Sequence, residues 1–197
     1  MKLKIKFLIV LISLLIITTK TFAAMPDISA GYKSFDFSKG CYILKYNVRV
    51  VARGRTMTAN EAKVQVTSQK VWANGNVTLT QEGFTFKCDS IFAQGKLKMV
   101  DVLGNVDFFQ NNTIHITSNV GQFSWGSKIA DFYGEVTINV IDSTKINFGD
   151  NLNVNFADIN GIYAHIQYNV RENKILLLEK TAVNIPKFNI PEPDSGE

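Results

Sequence analysis

Two short phrases recur along this chain with a period of about thirty residues, and few features constrain a fold more tightly. Gly75-Asn76-Val77-Thr78-Leu79 returns as Gly104-Asn105-Val106-Asp107-Phe108 and again as Gly134-Glu135-Val136-Thr137-Ile138, with glycine steps of 29 and 30 residues. Tyr46-Asn47-Val48-Arg49-Val50 is a first copy without the glycine, and Tyr168-Asn169-Val170 is a degenerate last one. A second phrase lies between the glycines: Thr56-Met57-Thr58-Ala59-Asn60-Glu61-Ala62, then Thr85-Phe86-Lys87-Cys88-Asp89-Ser90-Ile91, then Ile114-His115-Ile116-Thr117-Ser118-Asn119-Val120. Ile146-Asn147-Phe148-Gly149-Asp150-Asn151-Leu152 is a looser fourth copy. A unit this short buries no core alone, so successive units must stack on one another.

The unit is built of strands. Ala62, Val64 and Val66 alternate with Lys63 and Gln65, and Leu152, Val154 and Phe156 alternate with asparagines. That is the period of a sheet with one apolar and one polar face. Proline is absent from residues 27–185, and turn signals such as Glu82-Gly83, Gln94-Gly95, Asn111-Asn112 and Asn173-Lys174 separate the strands. Phe84, Phe86 and Cys88 share one parity while Ile91 and Ala93 share the other, so the buried face changes across Asp89-Ser90. An extra bulged residue there would achieve this, and the repeated glycines serve where a strand bends. The expectation is an all-β protein of stacked units, with two facing, twisted sheets and their apolar sides inward. A sandwich, a jelly roll and a solenoid all satisfy it.

The N-terminus sets the compartment. Lys2, Lys4 and Lys6 precede an apolar run over residues 7–19, and Thr21-Phe22-Ala23 offers small residues for cleavage. Residues 1–23 therefore read as a secretory signal peptide, too short to cross a bilayer unaided. Cleavage gives a soluble periplasmic protein and retention an inner-membrane-anchored one. Of 21 basic residues four (Lys2, Lys4, Lys6, Lys20) precede the cut, and none of the 17 acids does. Without the signal the charge is balanced, which argues against nucleic acid as a partner. Residues 24–185 form one domain and 186–197, with three prolines, a flexible tail. Cys41 and Cys88 could form a disulfide in an oxidising compartment.

Chemistry is sparse. His115 and His165 each sit between apolar residues on the polar face, with no patterned metal ligands around them. Gly121-Gln122-Phe123-Ser124-Trp125-Gly126-Ser127-Lys128 resembles a phosphate-binding loop with its last two residues exchanged. The strand-like residues that follow make it a turn between strands. Aspartates are scattered singly, as turn and solvent-face residues are. No enzyme activity and no cofactor are expected. The distinctive feature is the apolar lining: Phe84, Phe86, Val106, Phe108, Ile114, Ile116, Val136, Ile138, Ile146 and Phe148 fall at matching places in successive units. They either fill the space between the sheets or line a groove for an acyl chain.

The alternation of Ala73-Asn74-Gly75-Asn76-Val77-Thr78-Leu79 with Met57-Thr58-Ala59-Asn60-Glu61-Ala62-Lys63-Val64 resembles the OstA-like (LptA-type) proteins of lipopolysaccharide transport. The resemblance spans residues 42–140, with a looser continuation to 185. It implies a V-shaped β-jellyroll in the periplasm that holds lipopolysaccharide acyl chains between its sheets. It also implies open edge strands that join end to end with other OstA-like domains or with further copies of the chain. On this reading the ten apolar residues are the groove lining of a carrier or bridge for lipopolysaccharide or a similar glycolipid. The alternative is a scaffold protein of the cell envelope, filled solid and self-assembling end to end. The missing glycine in the first and last copies leaves open which member of such a pathway the chain would be.

Overall fold

The computed structural model describes residues 26–149, 159–181, 184–188 and 191; the expected signal, residues 1–23, lies outside them. Eleven strands form one antiparallel sheet: β1 (Asp27–Ser29), β2 (Tyr32–Asp36), β3 (Cys41–Ala52), β4 (Arg55–Gln65), β5 (Lys70–Gln81), β6 (Phe84–Gln94), β7 (Met99–Gln110), β8 (Ile114–Ser124), β9 (Ile129–Val140), β10 (Gly161–Asn169) and β11 (Lys174–Glu179). Each strand from β3 onward pairs with its successor, and β1 and β2 share the outer edge of β3. Hairpin follows hairpin, as the turn signals require.

The two expected sheets are one sheet, creased. From β3–β4 to β9–β10 every register breaks once at mid-strand, and across the break one strand carries one residue more than its partner. Gly75 and Asn76 face Asp89, and Gly104 and Asn105 face Asn119. The extra residue thus belongs to the Gly-Asn phrase, not to Asp89-Ser90 as the parity change suggested. Gly75 and Asn76 (φ 77° and 51°), Gly104 and Asn105 (72° and 47°) and Gly134 and Glu135 (73° and 47°) are all left-handed. The first copy does the same without glycine, through Tyr46 and Asn47 at 62° and 53°. The second phrase explains why glycine recurs. A Cβ at Gly75 would lie 2.6 Å from the Asn60 amide, and one at Gly104 would strike the Asp89 carboxylate. Each Asn or Asp lies over the glycine of the next strand.

The crease divides the sheet into two arms. One carries the halves of the strands that meet at turns 53–54, 82–83 and 111–113; the other carries those that meet at 66–69, 95–98 and 125–128. Inner faces of the two arms pack together. Phe86 and Phe108 of the first arm lie 5.7 Å from Phe123 and 5.4 Å from Phe132 of the second, respectively, between ring centroids. Tyr168 closes on Phe108 at 6.0 Å.

The expected last copies behave differently. Tyr168 is fully buried and Asn169 ends β10 by accepting hydrogen bonds from Arg171 N and Glu172 N; the register with β11 shifts between Gln167 and Tyr168, but there the extra residue is Leu176 of β11. The crease of β10 falls at Ala164 instead. Ile146 and Phe148 are off the main sheet: after β9 the chain turns through Ser143–Lys145, and Asn147 makes a lone parallel bridge to Lys174. The rest of that copy, 150–152, lies outside the described residues, together with Val154 and Phe156. Cys41 and Cys88 are both buried and both free, so the considered disulfide is not made. They lie on strands three apart, about 14 Å across a sheet, where a disulfide needs Cα atoms within about 7 Å. Ile185, the last residue of the expected domain, lies against Gly134; among described residues of the tail, Phe188 approaches Tyr133 and Pro191 accepts a hydrogen bond from Trp72 Nε1.

Candidate functional site

The arms do not pack equally along the molecule. In the later strands the inner faces meet without a gap: Val106, Phe108, Ile114, Ile116, Val136, Ile138, Ile166 and Ile175 are all essentially inaccessible. In the earlier strands the inner residues are smaller, with valine, alanine and leucine where phenylalanine and isoleucine stand further on. Val71, Leu79 and Ala93 face inward yet stay half-exposed. The difference in volume leaves a cavity of about 420 Å³ between the arms.

Val50, Met57 and Leu79 form its wall on the first arm, and Val64, Val71 and Ile91 its wall on the second. Phe123 closes the inner end, where it also meets Phe84 edge to face and lies tilted against Phe86. A volume of this size suits a small ligand or an extended apolar chain. A neighbouring cavity of about 450 Å³, lined by Ile28, Phe35, Tyr42 and Leu44, shares Pro26 and Val66 with the first and carries the hollow to the β1–β2 edge.

The mouth is polar and positively charged. Arg53, Arg55 and Lys70 lie on its rim with Gln65, Gln69 and Gln81, and no carboxylate lines it. Arg55 reaches across the gap between the arms, its guanidinium 5.0 Å from the centre of the Trp125 ring. Its Nε donates to Gln81 Oε1 at 3.1 Å. Burial and, secondarily, the charge of Arg53 pull the Arg55 guanidinium below its ordinary pKa.

The opposite end is shut. Gln110, at a tip of the first arm, donates from Nε2 to Val170 O and to Asn173 Oδ1 on the second, at 2.8 and 2.7 Å. Ile141 and Asp142 bond Thr113 on one arm, and Asn147 bonds Asn173 and Ile175 on the other, so this crossing segment spans from tip to tip. Ile146 is buried beneath it and Phe148 packs on the core.

Of the ten residues expected to line a groove, eight lie on the inner face of the first arm, and Ile146 and Phe148 on the crossing segment. All ten belong to the packed interior or border it, and none lines the cavity. Of the lining residues, Val64 and Val71 belong to the second arm, which the ten do not sample, while Met57 and Leu79 occupy the repeat positions of Phe86 and Phe108 one unit earlier. Their smaller size was the available signal. The histidines do have carboxylate neighbours, brought by cross-strand pairing: His115 Nε2 lies 2.8 Å from Asp107, and His165 lies 3.1 Å from Asp131 and stacks on Tyr133. No group of three potential metal ligands assembles among the described residues. No helix among them is long and apolar enough to cross a membrane. The near-match to a phosphate loop is the end of β8 and a four-residue turn at 125–128.

Residues 45–182 match the family of OstA-like proteins. The chain belongs to that family. Its fold is similar to that of LptH, the LptA-homologous periplasmic component of the lipopolysaccharide transport device of Pseudomonas aeruginosa. The superposition has a TM-score of 0.55 at 10% identity and covers 58% of this chain and 94% of LptH. At that identity the likeness speaks for the fold of this OstA-like chain, a creased antiparallel sheet of the LptA type. No curated protein matches the sequence.

Proposed function

We propose that this OstA-like chain is a non-catalytic periplasmic carrier that holds acyl chains of lipopolysaccharide, or of a similar glycolipid, between its arms on the way to the outer membrane. The observation that carries the reading is the apolar cavity between the arms of the early strands, continuous with a hollow at the β1–β2 edge. Burying one methylene contributes roughly 0.8 kcal/mol, so a chain of about a dozen carbons gains on the order of 10 kcal/mol. A sheltered path keeps those carbons from water while the sugars remain wet. The outer edges of β1–β2 and β11 end the sheet, and a strand of another OstA-like domain added there would extend both sheet and path.

Photo-crosslinking tests the reading. A photoreactive residue at Leu79 or Met57, in the envelope of cells making lipopolysaccharide, captures the lipid. The same residue at Thr80, which points outward beside Leu79, captures none. Absence of lipid at both inner positions would sink the carrier. The alternative, a scaffold filled solid and joined end to end, has the close packing of the later strands in its favour. It predicts concentration-dependent filaments and no capture.

A further inference from the structure

The outer face of the second arm turns away from the other arm, and its residues should be polar. Cross-strand pairing sets out one outward row, Trp72, Phe92, Asp101, Gln122, Asp131 and Gln167, on β5 to β10 in turn. The four polar members pair among themselves: Gln122 Nε2 donates to Asp101 Oδ1 at 2.7 Å, and Gln167 Nε2 to Asp131 Oδ1 at 2.9 Å. Trp72 and Phe92 break the pattern. They stack at 5.2 Å between ring centroids, and at 7% and 4% exposure they are covered as core residues are. An aromatic pair on an outward row marks a contact surface, and here the chain itself supplies the contact.

The occupant is the end of the chain, from Ile185 onward. Pro191 O accepts a hydrogen bond from Trp72 Nε1 at 2.5 Å, and Phe188 lies 6.5 Å from Tyr133 between ring centroids. Ile185 Cδ1 fills the space in which a Cβ of Gly134 would stand. Ile185 and Pro191 are six residues apart, about 19 Å at the polyproline rise of roughly 3.1 Å per residue. The strands they touch, β9 and β5, are four places apart in the sheet, also about 19 Å. That spacing suits an extended segment laid across the strands. The carbonyls of an extended proline-rich chain have no partner within the chain, so they are open to an outside donor. An indole N–H set beside an aromatic floor is such a donor, and the rings take up the proline side chains.

We propose that the outer face of the second arm is a binding site for extended, proline-rich peptide segments, and that the chain's own tail is a resident occupant which a partner's segment displaces. Trp72 and Phe92 form the floor, and the Trp72 indole reads a backbone carbonyl. The site lies on the opposite face of the sheet from the cavity, so filling one does not obstruct the other. Among the described residues the tail adds no strand to the sheet, and its exchange breaks no ladder hydrogen bond.

The test uses the exported chain from residue 24, with its tail weakened by F188S/P191G, and labelled peptides whose binding is read by fluorescence anisotropy. The probes are a peptide of residues 184–193, the same peptide with its prolines replaced by alanine, and decaproline. The tail peptide binds the weakened chain about tenfold more tightly than the parent chain, where the tethered tail competes at millimolar effective concentration. Decaproline binds the weakened chain within about tenfold of the tail peptide. The alanine peptide binds about tenfold less tightly, since it must be ordered on binding. Adding W72F keeps an aromatic ring, removes the donor and lowers the affinity for tail peptide and decaproline by about tenfold, the loss of one buried hydrogen bond. Circular dichroism checks that each variant keeps its sheet.

Absence of tail-peptide binding to the weakened chain, or affinities unmoved by W72F, overturns the site. Equal binding of the alanine peptide overturns the recognition of proline. Failure of decaproline where the tail peptide binds overturns the partner and leaves a strap that fits only its own face. None of these results bears on the carrier reading, which stands or falls by the cavity.

Discussion

Gly104 must adopt φ 72° while the Asp89 carboxylate occupies the place where a Cβ would stand; Gly54, at 74°, has nothing within 4 Å of that place. Gly104→Ala therefore meets both backbone strain and a clash, and should lower stability by about 2–4 kcal/mol. Gly54→Ala meets strain alone and should cost about 1–2 kcal/mol. Urea midpoints of the two variants check the difference, which vanishes if the Asp89 contact is immaterial. Tyr46 is the converse case, a 68% exposed side chain at φ 62° in the crease of β3. Tyr46→Gly restores the residue of the other copies and should raise stability by up to about 1 kcal/mol, the relief of strain outweighing the added entropy of the unfolded chain. Cys88 adds a pH dependence. Burial pushes its thiol up from 9.0 to about 12. An acid whose pKa is raised on folding is held neutral by the fold, so its contribution is complete below pH 9 and is lost as the pH climbs toward 12. Native protein at pH 8.5 should leave Cys88 unmodified by thiol reagents that label it at once in urea.

Among the elements, the described residues of the tail give a second test. Trp72 and Phe92 stack at 5.2 Å on the outer face of the second arm, yet Trp72 is only 7% exposed. Its indole bonds Pro191 O, and Ile185 and Phe188 lie along the same face. Truncation after Thr181 should shift Trp72 emission to the red and expose it to acrylamide while the far-ultraviolet spectrum of the sheet is retained. Unchanged emission would detach the tail from the face. This contact was not legible in the sequence, because three prolines and a lack of alternation describe a segment without pairing and say nothing of where it lies. The strands themselves were legible, since period two and turn residues act locally. So was the change of buried face at Asp89-Ser90. Which strand held the extra residue was not, because a bulge belongs to a pair and only the register assigns it. That the ten expected groove residues pack closely, while the cavity lies beside the earlier units, was hidden for a related reason. The repeat marks which positions face inward, but whether they touch depends on the summed volume of both arms, and phenylalanine in later units fills what valine and alanine in earlier ones leave open.

At the scale of the whole molecule the two arms are fastened at one end and parted at the other. Phe108, fully buried, touches Phe84, Phe86, Phe132 and Tyr168. Phe108→Ala should lower stability by about 3–5 kcal/mol, as core phenylalanines do. Because the lesion lies in the packed half, binding of dodecyl maltoside to folded protein should survive it; a matching loss of binding would show that the two halves are not separable. Gln110→Ala removes the two hydrogen bonds by which this side chain ties the arms directly, leaving those of the crossing segment. It should cost about 1–3 kcal/mol in urea unfolding, chiefly the penalty for stranding Val170 O, since Asn173 Oδ1 keeps the Tyr168 hydroxyl. The crease has a consequence for how such molecules vary in length. The units at Gly75, Gly104 and Gly134 meet their neighbours through the same left-handed pair and the same Asn or Asp over glycine, so a duplicate of one of them joins without new geometry. Each addition brings two strands, or roughly 9–10 Å of path. The hollow between the arms can therefore be lengthened only in whole increments of that size, and side-chain volume within a unit decides whether the increment is passage or plug.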